Sequence, residues 1–165
     1  MKAVVVYESL WGNTAAIARA IAEGLGPDAR ALSTSEASPA ALAGLDLLVA
    51  GAPVISFALP TDRARDSIGA NPSGARPPAD LSHPSMRSWL GRLPEGHGRS
   101  AAFETRLRFS PGGSTSRILR GLECAGYRRI APGQRFIVRG TYGPLRDGET
   151  ERARRWGAEL ARAMG

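Results

Sequence analysis

The chain has one cysteine, Cys124, in 165 residues, so no disulfide can form within it. That scarcity suits a reducing compartment, and a cytoplasmic setting is the expectation. Histidine is almost missing too. His83 and His97 stand in Pro/Gly-rich sequence without metal-ligand spacing, so no metal site is expected, and no Ser/His/Asp order suggests a hydrolase. No apolar run approaches the roughly 20 residues that cross a bilayer, and no membrane partner is expected. The short run after Lys2 is not a secretion signal, because Glu8 follows at once and no small-residue cleavage site appears. The dinucleotide fingerprint G-x-G-x-x-G and the Walker Gly-Lys-Ser/Thr are both absent. Lysine is limited to Lys2, so the formal charge of +7 is almost all arginine. Preference for arginine over lysine reads as codon bias; its distribution does not. Residues 87–139 carry eleven basic and three acidic side chains, which gives one part of the surface a positive field.

What remains is the pattern of one α/β domain over residues 1–165, long enough to bury a real core. Ala3–Tyr7 is an apolar strand. A helix follows from about Thr14 to Leu25, with Ile17, Ile21 and Leu25 four apart and Gly26-Pro27 as its stop. Ala29–Ser33 reads as a weak edge strand, Pro39–Ala43 as a short helix, and Leu45–Ala52 as a strand covered on both faces. From Pro60 to Arg99 six prolines break the pattern (Pro60, Pro72, Pro77, Pro78, Pro84, Pro94). A Pro/Gly-rich loop insertion is expected at about 62–82, then a helix from about Pro84 to Leu93 with Met86 and Trp89 inward. Ser100–Glu104 is the fourth strand. Ser114 or Ser116 caps a helix that ends at Gly126, Gln134–Arg139 is the fifth strand with Arg128–Ala131 beside it, and Gly148–Met164 is the last helix. Alternating strands and helices predict three layers around a parallel sheet.

The segment with most chemistry is Ser9-Leu10-Trp11-Gly12-Asn13-Thr14. A strand, a loop carrying hydroxyls and glycine, and a helix start make an anion seat. Free N–H groups and the helix dipole favour a phosphate, Ser9 and Thr14 add hydroxyls, and Gly12 lets the backbone come close. The alternative is an ordinary βα turn capped by Asn13 or Thr14.

This loop resembles the phosphate loop of flavodoxins, roughly S/T-x-T-G-x-T, with Trp11 in place of one hydroxyl residue. The resemblance implies a five-stranded, doubly wound sheet in the order 2-1-3-4-5 with FMN at its C-terminal edge. It extends to Gly51–Pro60, similar to the flavodoxin segment that covers one face of the flavin ring. There Pro53, Val54, Ile55, Ser56, Phe57 and Ala58 become candidate contacts, with Phe57 stacking on the ring. Ala58 stands where the family often has a glycine that turns toward the reduced flavin, and Val54 and Ile55 replace polar residues. Phe103–Phe109 is similar to an F-D-T-R stretch, which implies that Glu104, Thr105 and Arg106 follow the fourth strand at the flavin, with Arg106 near its N1/C2 side. Gly143–Ala153 resembles the stretch that leads into the last flavodoxin helix. Everything except about 62–82 takes part.

The implied function is an FMN-binding electron carrier with an acidic redox partner. A small FMN-dependent reductase is an alternative. A non-redox interaction module is another, with an impaired flavin site and a basic face for an acidic protein or nucleic acid; no nucleic-acid motif supports the latter partner. Cys124 has no histidine beside it and is not read as a nucleophile. Glu8 and Glu104 both end strands and read as polar residues of the sheet edge rather than an acid/base pair. No catalytic residue is assigned, and oligomeric state is left open.

Overall fold

The structure is a computed structural model that describes residues 1–71 and 73–165. Pro72, part of the expected insertion, lies outside the described residues. The elements run β1 (Ala3–Tyr7), α1 (Asn13–Leu25), β2 (Arg30–Ser33), α2 (Pro39–Leu42), β3 (Leu47–Pro53), α3 (Asp62–Gly69), α4 (Met86–Leu90), β4 (Arg99–Leu107), α5 (Thr115–Cys124), β5 (Arg128–Arg129), β6 (Gln134–Val138) and α6 (Glu149–Met164).

All strand pairs are parallel, in the order β2-β1-β3-β4, with β5 and β6 sharing the position beyond β4. β5 pairs with Arg99 and Ser100 and β6 with Phe103–Leu107, so one strand site is filled by two pieces. The sheet is therefore 2-1-3-4-5 with a sixth short strand.

Parallel strands buried on both faces need apolar side chains on both. Alternate residues go to opposite layers. Ala3, Val5, Leu47, Val49, Ala101, Phe103 and Phe136 pack under α1 and α6. Val4, Val6, Leu48, Ala50 and Ala102 pack against Leu42, Met86, Trp89, Ile118 and Leu122. Helices α1 and α6 meet backbone to backbone. A Cβ on Gly157 would stand 2.3 Å from the Ile21 carbonyl oxygen, and one on Gly24 would overlap that of Arg154. Only glycine allows this approach.

Two expectations need correction. The stretch expected as loop begins with a helix, α3, whose Thr61 Oγ1 accepts from the Ala64 N–H and caps it. Its Arg65 is buried and pairs with Glu8, an attachment that periodicity does not register. The fourth strand also runs three residues beyond Glu104, because β6 pairs along Phe103–Leu107 and β3 along as far as Thr105. Thr105 and Arg106 thus belong to the strand and not to a loop after it. No described helix is long and apolar enough to cross a membrane.

Candidate functional site

The loops after β1, β3, β4 and β6 meet at the C-terminal edge of the sheet. Gly12 caps α1 at φ 90°, a left-handed conformation natural to glycine. Its N–H donates to Ser9 Oγ at 3.1 Å, which closes the loop into a tight turn. Among the described residues, the N–H groups of Leu10, Trp11, Asn13, Thr14 and Ala15 donate to no protein acceptor. Thr14 Oγ1 lies 2.8 Å from Thr105 Oγ1, and both residues are buried. One hydroxyl proton is consumed between them, so the pair still has one to give, as does Ser9.

Most helix starts in this fold are closed by the protein itself. Ser38, Thr61 and Ser85 cap α2, α3 and α4 with their hydroxyl oxygens. Glu8 also accepts from the Met86 N–H at 2.9 Å. Glu104 accepts from the N–H groups of Ser114 and Thr115 at 2.6 and 3.0 Å, and so closes α5. Glu149 and Glu151 place carboxylates in the first turn of α6. Helix α1 has neither a capping side chain at Gly12 nor an acidic residue in its first turn, and, among the described residues, its Asn13, Thr14 and Ala15 N–H groups meet no carboxylate such as the one Glu104 brings to α5. Its positive end faces a narrow pocket of about 60 Å³. That pocket is lined by Ser9, Leu10, Trp11, Asn13, Thr14, Pro53, Val54, Ile55, Thr105 and Arg106, with Leu107, Ser110, Val138 and Thr141 completing it.

Leu107, Ser110 and Val138 also border an open trough of about 590 Å³, lined by Phe57, Phe109, Ile137 and three arginines, Arg108, Arg139 and Arg146. Phe57 is 63% exposed and Phe109 87%. Large aromatics so exposed on one trough mark an interaction surface. The 60 Å³ pocket holds a phosphate-sized group, and a ring system has room only in the trough. A hollow of about 630 Å³ at the opposite edge, around Tyr127 and Pro94–Arg99, is far from these loops.

The structure rearranges the expected roles of several residues. The backbone strain after β3 sits at Ser56 (φ 49°) and Phe57 (φ 67°), not at Ala58. Ile55 and Ala58 exchange backbone hydrogen bonds, so Ser56-Phe57 forms the tip of a two-residue hairpin that needs two left-handed residues. Ala58 and Ser56 line neither pocket nor trough. Glu104 is 1% exposed and lies beneath the site. Arg106 Nη1 donates to Glu104 Oε1 at 2.9 Å and to the Gly112 carbonyl at 2.8 Å, so the guanidinium is committed to holding the 110–114 loop. That loop in turn holds the hairpin: the Gly113 N–H donates to the Phe57 carbonyl, and a Cβ on Gly112 would overlap the same oxygen. Ser114 is the N-cap residue of α5, but its Oγ donates to Pro53 O and makes no capping bond of its own.

Three contributors were not visible as site residues. Phe109 lies two residues beyond the strand, and its exposure has no periodic signature. Tyr142 meets Trp11 edge-on with ring centroids 4.9 Å apart. Segment 77–83 is pinned to the α1 loop at three points: Trp11 Nε1 donates to Pro77 O, the Asp80 N–H to Leu10 O, and the Ser9 N–H to His83 Nε2 at 3.2 Å. That last bond requires a neutral imidazole, and burial pushes His83 below its ordinary value against the pull of Asp80. Behind it, Glu8 pairs with Arg65 at 2.5 Å. Burial nonetheless raises the Glu8 carboxyl above the usual range. Neither Glu8 nor Glu104 reaches the pocket, so both serve the architecture. Among the described residues, no three His, Cys, Asp or Glu side chains cluster to hold a metal.

No family model and no curated protein matches the sequence. Solved structures do. A flavodoxin from the domain Archaea superposes with TM-score 0.67 at 19% identity, covering 99% of both chains. Oxidised flavodoxin 1 from Bacillus cereus gives 0.67 at 17%, covering 98% of each. The rubredoxin oxygen:oxidoreductase of Desulfovibrio gigas matches over 98% of this chain but 35% of its own, with TM-score 0.62 at 16%. At such identities the likeness speaks for architecture, and with the strand order above it establishes that this chain has the flavodoxin-like fold from end to end.

Proposed function

We propose that this chain binds FMN and works as an electron carrier. The observation that carries the reading is the unclosed start of α1, which opens into a phosphate-sized pocket continuous with an aromatic trough. The residues fit the group. The N–H groups of Asn13, Thr14 and Ala15 and the free hydroxyl protons of Ser9 and the Thr14–Thr105 pair hold a phosphate. Val54 and Ile55 line the way to the trough, where Phe57, Phe109, Leu107 and Val138 cover a ring and exclude water. A bound flavin supplies the redox chemistry, taking up and giving back electrons. The structures of like fold include proteins named as flavodoxins, which supports the same reading.

The partner is proposed to be an acidic protein. Arg108, Arg139 and Arg146 border the trough, within reach of anything that docks on Phe57 and Phe109. Such docking slows as salt rises, because the Debye length falls from about 10 Å at 0.1 M to about 3 Å at 1 M. Titration of the purified protein with FMN and with riboflavin tests the assignment. A yellow complex with FMN, weaker binding of riboflavin and reversible stepwise reduction are expected. A colourless protein that rejects both supports the non-redox interaction module instead.

A further inference from the structure

The pocket and the trough share one electrostatic character. No aspartate or glutamate lines either of them. Arginines do: Arg106 lines the pocket, and Arg108, Arg139 and Arg146 line the trough. Three of these carry a counter-charge. Arg106 pairs with Glu104 at 2.9 Å, Arg139 with Asp147 at 2.8 Å and Arg146 with Glu149 at 2.7 Å. Glu104 is shared with Arg135 and Glu149 with Arg152, so these groups keep a surplus of positive charge. Arg108 is exposed, and among the described residues no carboxylate pairs with it. Its guanidinium carbon lies 5.1 Å from the centre of the Phe109 ring. That contact holds an unshared charge against the aromatic wall of the trough.

The phosphate of FMN is the same in the oxidised and the reduced molecule, so the α1 loop does not tell them apart. The ring does change. A neutral oxidised ring that takes up two electrons and one proton becomes an anion. A fixed positive field attracts that anion more than the neutral ring, and no carboxylate of the lining opposes it.

Resting on the flavin reading above, we infer that the trough arginines, Arg108 foremost, hold two-electron-reduced FMN more tightly than oxidised FMN. Arg108 contributes most because its charge is not shared. Tighter binding of the reduced form raises the reduction potential of the bound flavin above that of free FMN, by about 30 mV for each tenfold in affinity. The chain then accepts electrons from weaker reductants than free FMN does, and passes them to acceptors of correspondingly higher potential.

The test is spectroelectrochemical titration of the full chain loaded with FMN, beside free FMN, at pH 8, together with the affinity for oxidised FMN. The bound potential is expected at least about 30 mV above the free one, a tenfold preference for the reduced form. Arg108→Gln should cut that preference roughly threefold, the scale of one exposed charge, and leave the affinity for oxidised FMN nearly unchanged. Arg108→Lys keeps the charge and should keep the preference. A bound potential at or below that of free FMN overturns the inference and leaves the FMN reading standing. A preference that survives Arg108→Gln in full overturns the part given to Arg108. Equal losses in the Gln and Lys variants would trace the effect to packing on Phe109 and overturn the role of charge. Failure to bind FMN at all overturns both readings together.

Discussion

Helices α1 and α5 start at the same edge of the sheet, each after a glycine-bearing loop, and are finished in opposite ways. At α5 the buried Glu104 accepts from the Ser114 and Thr115 N–H groups and pairs with Arg106. At α1 only the Ser9 hydroxyl arrives, on the Gly12 N–H, and no carboxylate does. The loop sequences do not show the difference, since Ser110–Thr115 carries hydroxyls and glycines much as Ser9–Thr14 does. What decides is a carboxylate on β4, ten residues before the helix start it serves. Where the fold needs a closed helix end it brings its own anion. Where it leaves the end open, an anion from solution can take the same place.

Removing the carboxylate breaks this comparison most severely. Glu104→Ala strips two N–H groups of their acceptor and leaves Arg106 buried without its counter-charge. The expected loss is about 3–5 kcal/mol of folding stability, read from urea unfolding at pH 7. A loss under about 1 kcal/mol would mean that water replaces the carboxylate without cost.

Copying the carboxylate to the other helix comes next. Asn13→Asp is nearly isosteric and puts a negative charge in the first turn of α1. It should stabilise the fold by about 0.3–1 kcal/mol through the helix dipole. It should weaken FMN roughly tenfold or more, about 1.4 kcal/mol, through repulsion of the phosphate. Riboflavin, which has no phosphate, should bind as before. Equal losses for both flavins would place the phosphate elsewhere.

The pair also shows how far a sequence can be read. β1, its loop and α1 are local, and their hydrophobic period and helix start were legible residue by residue. The alternation of elements showed a parallel sheet between helix layers, and the resemblance to flavodoxins supplied its strand order. What escaped reading depends on partners far along the chain. Arg65 finds Glu8 across 57 residues, His83 finds the Ser9 N–H across 74, and α3 is held in place through the first of these. Arg106 was assigned to the ring by resemblance. Its commitment to Gly112 follows from the extension of β4, which the partner strand β6 decides.

Phe57 separates ring contact from strain. Its φ of 67° costs a residue with a Cβ about 1–2 kcal/mol, and the hairpin tip is held there by Gly113. Phe57→Gly relieves that cost while removing the aromatic wall of the trough. Stability should stay level or rise by up to about 1 kcal/mol, the greater freedom of unfolded glycine taking back part of the gain. FMN and riboflavin should weaken alike, in contrast to Asn13→Asp. Unchanged binding of both would remove Phe57 from the ring site.

The smallest effect concerns the back of the α1 loop, where His83 and Glu8 titrate with opposite signs. Burial holds His83 below 6.5, so the unfolded chain takes up the proton first. Its contribution to stability is therefore present above pH 6.5 and is lost as pH falls through the folded value. Burial raises Glu8 above 4.5, so its contribution is full below pH 4.5 and is lost as pH rises through the folded value. The two partly cancel in the native chain. His83→Gln removes the first alone and keeps an amide oxygen able to accept from the Ser9 N–H. Stability at pH 7 should stay close to that of the unsubstituted protein, and its decline as pH falls below 6.5 should become shallower. FMN affinity should lose its dependence on pH in the same range, because the Ser9 N–H is then held by a group that does not titrate. Identical slopes in the two proteins would show that the imidazole protonates in the fold as it does in the unfolded chain, and that the α1 loop is held without it.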